Sequence, residues 1–116
     1  MNCEQWDLVV VPFPFSEGPG TKRRPAAVIS KAVFNRRGHS VLSMITSALH
    51  EGWPGDVRIG DYRGAGLDTH CILRLKLFTL DNRLILKKIG RLNPADRLSV
   101  GASLHQFVLP AAPLSR

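Results

Sequence analysis

The stretch Thr21-Lys22-Arg23-Arg24-Pro25-Ala26-Ala27-Val28-Ile29-Ser30 sets three cations in a row between a glycine-bearing loop and a run of small and β-branched residues. Proline after Arg24 removes a backbone donor and biases the arginine before it toward extended backbone. Arg24 therefore starts a strand instead of riding on a helix, at a rigid place where its planar fork can grip two phosphate oxygens. Upstream, Leu8-Val9-Val10-Val11 predicts a strand closed at Pro12-Phe13-Pro14-Phe15, with a loop over 16–21. Downstream, the second strand runs from Pro25 to Ser30, a third from Val41 to Thr46 and a short fourth from Asp56 to Ile59, each bounded by Gly, Asn, Ser or Pro. Tyr62-Arg63-Gly64-Ala65-Gly66 breaks regular structure ahead of a strand from Cys71 to Phe78, whose alternation puts Arg74 and Lys76 on one basic face. Asp81 is set to cap a helical turn, and Leu84 to Ile89 reads either as a last strand or as the end of that helix. Asn93 as N-cap, Pro94 at the first helical position and Asp96 in the first turn predict a final helix with Val100, Leu104, Phe107 and Val108 on one stripe. Short strands at this spacing predict a mainly β chain forming one small barrel, a single domain over 1–116 whose tail from 110 frays.

With 16 Lys plus Arg against 9 Asp plus Glu, the net charge of +7 points to a polyanionic partner: nucleic acid, an anionic surface or an acidic protein segment. No apolar run reaches the ~18 residues of a membrane span, and no basic-then-apolar start resembles a signal peptide, so a cytoplasmic location without membrane contact is expected. Cys3 and Cys71 stand far apart without metal-ligand spacing, which predicts two small core residues, no metal and no cofactor.

Four motifs in order carry a resemblance: Val11-Pro12-Phe13-Pro14-Phe15-Ser16, Lys22-Arg23-Arg24-Pro25-Ala26, Met44-Ile45-Thr46-Ser47, and Lys76-Leu77-Phe78-Thr79-Leu80-Asp81 with Ile89-Gly90-Arg91-Leu92 after it. On these the chain resembles the PemK/MazF family, toxins of type II toxin–antitoxin systems. The resemblance implies an SH3-like β-barrel of the CcdB/Kid/MazF type with short helices and a C-terminal helix. It implies an mRNA interferase: a homodimeric, metal-independent endoribonuclease cutting single-stranded RNA by transphosphorylation. It also implies a cognate antitoxin whose acidic disordered segment occupies the RNA groove. By position, Arg24 is implied to contact the scissile phosphate and Thr46 to be the second catalytic group. Where relatives often read Arg-x-Asp on one strand face, this chain has Leu73 and Leu75, with its arginine at Arg74 on the opposite face.

The chemistry sets the candidates. Attack of a 2′-hydroxyl on phosphorus needs a base, an acid for the leaving oxygen and cations for the charge gathering on phosphoryl oxygens. Arg24 suits the last role, because a guanidinium stays protonated and makes a poor base. Its bland alternative is a solvated charge at a strand edge. Thr46 and Ser47 can hydrogen-bond phosphate or 2′-hydroxyl, or merely cap the turn that follows. Among four histidines, His50 and His70 flank strand ends near the expected groove and can replace the missing acid or base. Glu17 and Asp68 are the carboxylates named beside them, with turn formation as their alternative. Phe13, Phe15, Trp53 and Tyr62 are the rings available for base stacking; at least one of the two phenylalanines is expected inside, and Trp53 is the ring expected outside. Lys22, Arg23, Arg58, Arg63, Arg74 and Lys76 form the expected phosphate track, and Lys87, Lys88 and Arg91 an ordinary solvated face. Two rival functions remain open on these residues: a non-catalytic nucleic-acid-binding module on the same barrel, and a protein-targeting toxin of the gyrase-poison kind.

Overall fold

The computed structural model describes residues 1–13, 22–49 and 52–111. Strands β1 (Asp7–Pro12), β2 (Arg23–Val28), β3 (His39–Ser47), β4 (Val57–Arg58), β5 (Cys71–Asp81) and β6 (Lys87–Arg91) are joined by a four-residue helix α1 (Ala32–Asn35) and followed by helix α2 (Pro94–Phe107). They form one sheet in the order β4-β5-β3-β2-β1-β6, antiparallel throughout and curled into a half-barrel, as expected for the small barrel.

Strand alternation divides the apolar residues between two cores. Leu8, Ala27, Ile45, Val57 and Leu73 bury one face of the sheet against Leu92 and the α2 residues Val100 and Leu104. On the opposite face, Val9, Val11, Ala26, Val28 and Leu42 pack with Cys3 and Ile85. The β-branched run of β1 is thus needed on both sides, as for an interior strand. Phe13 lies inside, its ring edge-on to Phe78 at 5.5 Å.

The boundaries differ from expectation in instructive ways. β2 begins at Arg23, two residues before Pro25, and β5 continues to Asp81. The segment left open between strand and helix is settled: a 3-10 turn, Asn82–Leu84, capped by Asp81 accepting from the Arg83 amide, gives way to β6. Asn93 caps α2 by accepting from the Asp96 amide, as its position predicts. Phe107 and Val108 do not join the buried stripe: Phe107 is 50% exposed, laid over Gly55 at the rim of the sheet, so only Val100, Ser103 and Leu104 of that stretch are buried.

Buried Asp96 turns its carboxylate to the amides of Gly60 at 2.9 Å and Asp61 at 3.2 Å, fastening the loop after β4 to the start of α2. Farther along that loop Gly66 and, on β6, Gly90 bring two backbones together: a Cβ on either would overlap main-chain atoms of the other segment. The loop thereby closes over the first core through Ala65 and Leu67.

Both cysteines are buried and free, and burial is the main cause that pushes each thiol above its ordinary pKa. A thiol held neutral is a poor nucleophile. We expect iodoacetamide at neutral pH to leave Cys3 and Cys71 unmodified in the folded protein and to alkylate both in denaturant, read by intact mass. Rapid native labelling of either would contradict its burial.

Candidate functional site

At one end of the second sheet face the apolar residues give way to polar ones. Register aligns them in rows. Arg58 on β4 is opposite Ile72 on β5, Ile72 opposite Thr46 on β3, and Arg24 on β2 opposite Val11 on β1. The β2–β3 ladder pairs Ala26–Met44, Ala27–Ser43 and Val28–Leu42; Arg24 and Thr46 each stand two residues beyond its Ala26–Met44 end, on the same face. The neighbouring row holds Val9, Ala26, Met44 and Arg74. Residues so aligned have Cβ atoms about 5 Å apart.

Pro25 shapes the middle of this surface. Lys22 and Val28 turn their carbonyls to β1, while the Ile29 amide turns to β3; the alternation therefore aims the nitrogen of Pro25 at β3. It has no proton to donate. The ladder between β2 and β3 starts only at Ala26, leaving a notch flanked by half-buried Arg24 and buried Thr46.

β5 is irregular at the same level. Ser43 pairs with Leu77 but Met44 with Arg74, so the register shifts across Leu75 and Lys76, and the Ser43 hydroxyl donates to the Arg74 carbonyl beside the bulge. Such bulges re-aim side chains. Arg74 donates through Nε at 3.1 Å and Nη2 at 2.9 Å to the two carboxylate oxygens of Asp56. That pairing holds the guanidinium above its already high pKa. The Arg74 guanidinium carbon lies 5.6 Å, and Lys76 Nζ 5.1 Å, from the centroid of Trp53, which is 42% exposed as expected of it. Leu73 and Leu75 point the other way, into the first core, as the one-residue offset from Arg74 requires.

The structure separates the remaining candidates. Arg24, Arg58, Arg74 and Lys76 share the sheet face just described, with Thr46 buried on it and Trp53 against Arg74 and Lys76, and exposed Lys22 and Arg23 lead up to it. Ser47 lies one residue off the Thr46 face, opposite Cys71, and its hydroxyl accepts from the Leu49 amide, the turn-capping alternative. Arg63 sits over Tyr62 at 5.6 Å, and His70 packs its ring on that same tyrosine at 4.6 Å, forming a separate stack on the loop after β4. Glu17 and His50, with Phe15, lie outside the described residues. Asp68 lines a cavity of about 400 Å³ with Thr69, Lys87 and Pro25. Lys88 and Arg91 are not a simple solvated face: they flank the fully buried Asp7 at 3.1 and 3.5 Å. Asp56 is the carboxylate that the sequence reading does not single out; its signal is the Trp-Pro-Gly-Asp turn running straight into a strand. No helix of the described residues is long and apolar enough to cross a membrane.

The sequence model of a family described as PemK-like, MazF-like toxin of type II toxin–antitoxin system matches residues 4–108. A crystal structure of MazE–MazF from Deinococcus radiodurans superposes with a TM-score of 0.73 at 22% identity, over 93% of this chain and 97% of that one. An endoribonuclease in complex with its cognate antitoxin, from a mycobacterial species, gives 0.71 at 18% identity over 95% and 99%. The Mycobacterium tuberculosis toxin MazF-mt6 gives 0.71 at 14% over 86% and 93%. At such identities the structural likeness is one of fold. No curated protein sequence matches the chain.

Proposed function

The chain belongs to the PemK-like, MazF-like toxins of type II toxin–antitoxin systems, and from that premise we propose that it is an endoribonuclease cleaving single-stranded RNA by internal transphosphorylation. The 2′-hydroxyl attacks the adjacent phosphorus, the 5′-oxygen of the next nucleotide leaves with a proton, and the products are a 2′,3′-cyclic phosphate and a 5′-hydroxyl. Arg24 holds the non-bridging oxygens as charge gathers on them, and the Thr46 hydroxyl hydrogen-bonds beside it. Lys22, Arg23, Arg58, Arg74 and Lys76 track the flanking phosphates, with no resident metal. The observation that carries this reading is that Arg24 and Thr46 lie on one sheet face, each two residues beyond the Ala26–Met44 pair that ends the β2–β3 ladder.

The same reading makes the chain one functional domain, working in the cytoplasm as a homodimer and neutralised by an antitoxin whose acidic segment competes for the basic surface. Solved relatives described as toxin–antitoxin complexes support the last part. The packing of Leu73 and Leu75 toward the first core favours one alternative, a module that binds RNA without cutting it, since neither residue offers a proton-transfer group to the groove.

Incubating the protein with mixed-sequence single-stranded RNA in excess EDTA separates the two. Discrete fragments ending in cyclic phosphate support the nuclease. Salt-sensitive binding without cleavage by the folded protein would establish the binding module instead.

A further inference from the structure

Trp53-Pro54-Gly55-Asp56 has the chemistry of a type II turn: proline second, glycine third with φ +83°, and the Asp56 amide donating to the Trp53 carbonyl at 3.0 Å. The Asp56 side chain closes it again, since Oδ2 accepts from the Trp53 amide at 2.9 Å. That carboxylate is also the one gripping Arg74. One side chain therefore fixes both the backbone that carries the indole and the guanidinium that lies against it. On the other side, the Ser103 hydroxyl of α2 donates to the Gly55 carbonyl, and a Cβ on Gly55 would press on the side chains of Leu75, Ser103 and Phe107. The turn is fastened between β5 and α2, while Trp53 stays partly in solvent against Arg74 and Lys76, on the sheet face that carries Arg58, Thr46 and Arg24.

Charge alone does not account for Asp56. An anion among Arg58, Arg74 and Lys76 weakens the field that attracts RNA phosphates, so a phosphate track would be stronger without it. Its bonds serve geometry instead: an aromatic ring held rigid binds at lower cost in conformational freedom. Resting on the ribonuclease reading above, we propose that Trp53 is the stacking platform for one unpaired nucleobase flanking the cleaved phosphate, and that Asp56 is the residue that positions it.

The two roles of Asp56, charge and positioning, predict opposite signs. The probes are RNA oligonucleotides made non-cleavable by a 2′-deoxy nucleotide at the mapped cut site, each with one base replaced by an abasic ribose. Wild type is expected to lose about tenfold in affinity when one position beside the cut site is abasic, the size of a single base–aromatic stack. Trp53→Ala and Asp56→Asn are expected to erase that difference, and Asp56→Asn to bind the abasic oligonucleotide at least as tightly as wild type, having one anion fewer. Arg74→Lys opens the bidentate pair at constant charge and is expected to lose part of the discrimination, which keeps the test informative should Asp56→Asn fail to fold. Undiminished discrimination in both Asp56→Asn and Arg74→Lys overturns the positioning role. RNA binding and cleavage by wild type with no position-specific base effect overturns the platform and leaves the nuclease standing; wild type that binds no RNA overturns both.

Discussion

Arg24→Ala is expected to slow RNA cleavage by about 10²–10³-fold, the usual loss when one preorganised donor to the transition-state oxyanion is removed. The effect should appear in the single-turnover rate more than in substrate affinity, because several other cations remain to hold the phosphates. Folding should survive. Arg24 is half-exposed at the notch, and its neighbours Ala26 and Val28 keep their buried contacts. Arg24→Lys should recover only part of the rate, since a point charge cannot grip two oxygens at once. The measurement is single-turnover cleavage beside a thermal melt. A folded Arg24→Ala protein cleaving at the wild-type rate would remove Arg24 from the reacting phosphate.

Gly66→Ala is expected to give the largest loss of stability, about 3 kcal/mol or more. Two costs add there. The backbone of Gly66 has φ +83°, where an L side chain is strained by about 1–3 kcal/mol. The new methyl would also overlap the Ile89 carbonyl on β6, and overpacking against main chain costs about 1–3 kcal/mol again. The control is Gly38→Ala, also at positive φ but with nothing within 4 Å of a Cβ, which isolates the backbone cost. For a domain of this size the Gly66 variant should melt roughly 10 °C or more below wild type. Equal melting shifts for the two variants would mean that the contact between the loop and β6 contributes little.

What the sequence discloses here is what local chemistry decides. Pro25 after Arg24, the alternation that separates Arg74 from Leu73 and Leu75, and the Asn93-Pro94-Asp96 start of α2 are each legible because the deciding atoms are neighbours in the chain. Helix α1 is not: its four residues are held by buried Asn35, which donates to the carbonyls of Cys3 and Ser30 and accepts on its own carbonyl from Asn82. Partners that remote leave no periodic trace. The Asp56–Arg74 pair is hidden for the same reason, because the register of β4 on β5 brings the two together. The place of His70 was legible only as far as its strand end, since its companion Tyr62 is chosen by the path of a loop.

The sheet order has a consequence for how the protein is made. β1, made before the other strands of its sheet, waits for one of its two neighbours, β6, until residues 87–91 are synthesised. The first core is closed only by Leu92, Val100 and Leu104, and the loop amides of Gly60 and Asp61 meet their acceptor only when Asp96 exists. Arg24 and Thr46 are translated early, but the scaffold that holds them is completed by nearly the last turn of α2. A nascent or prematurely terminated chain ending before Pro94 therefore carries Arg24 and Thr46 without a finished fold. Synthesis itself postpones the finished sheet until α2 has been made.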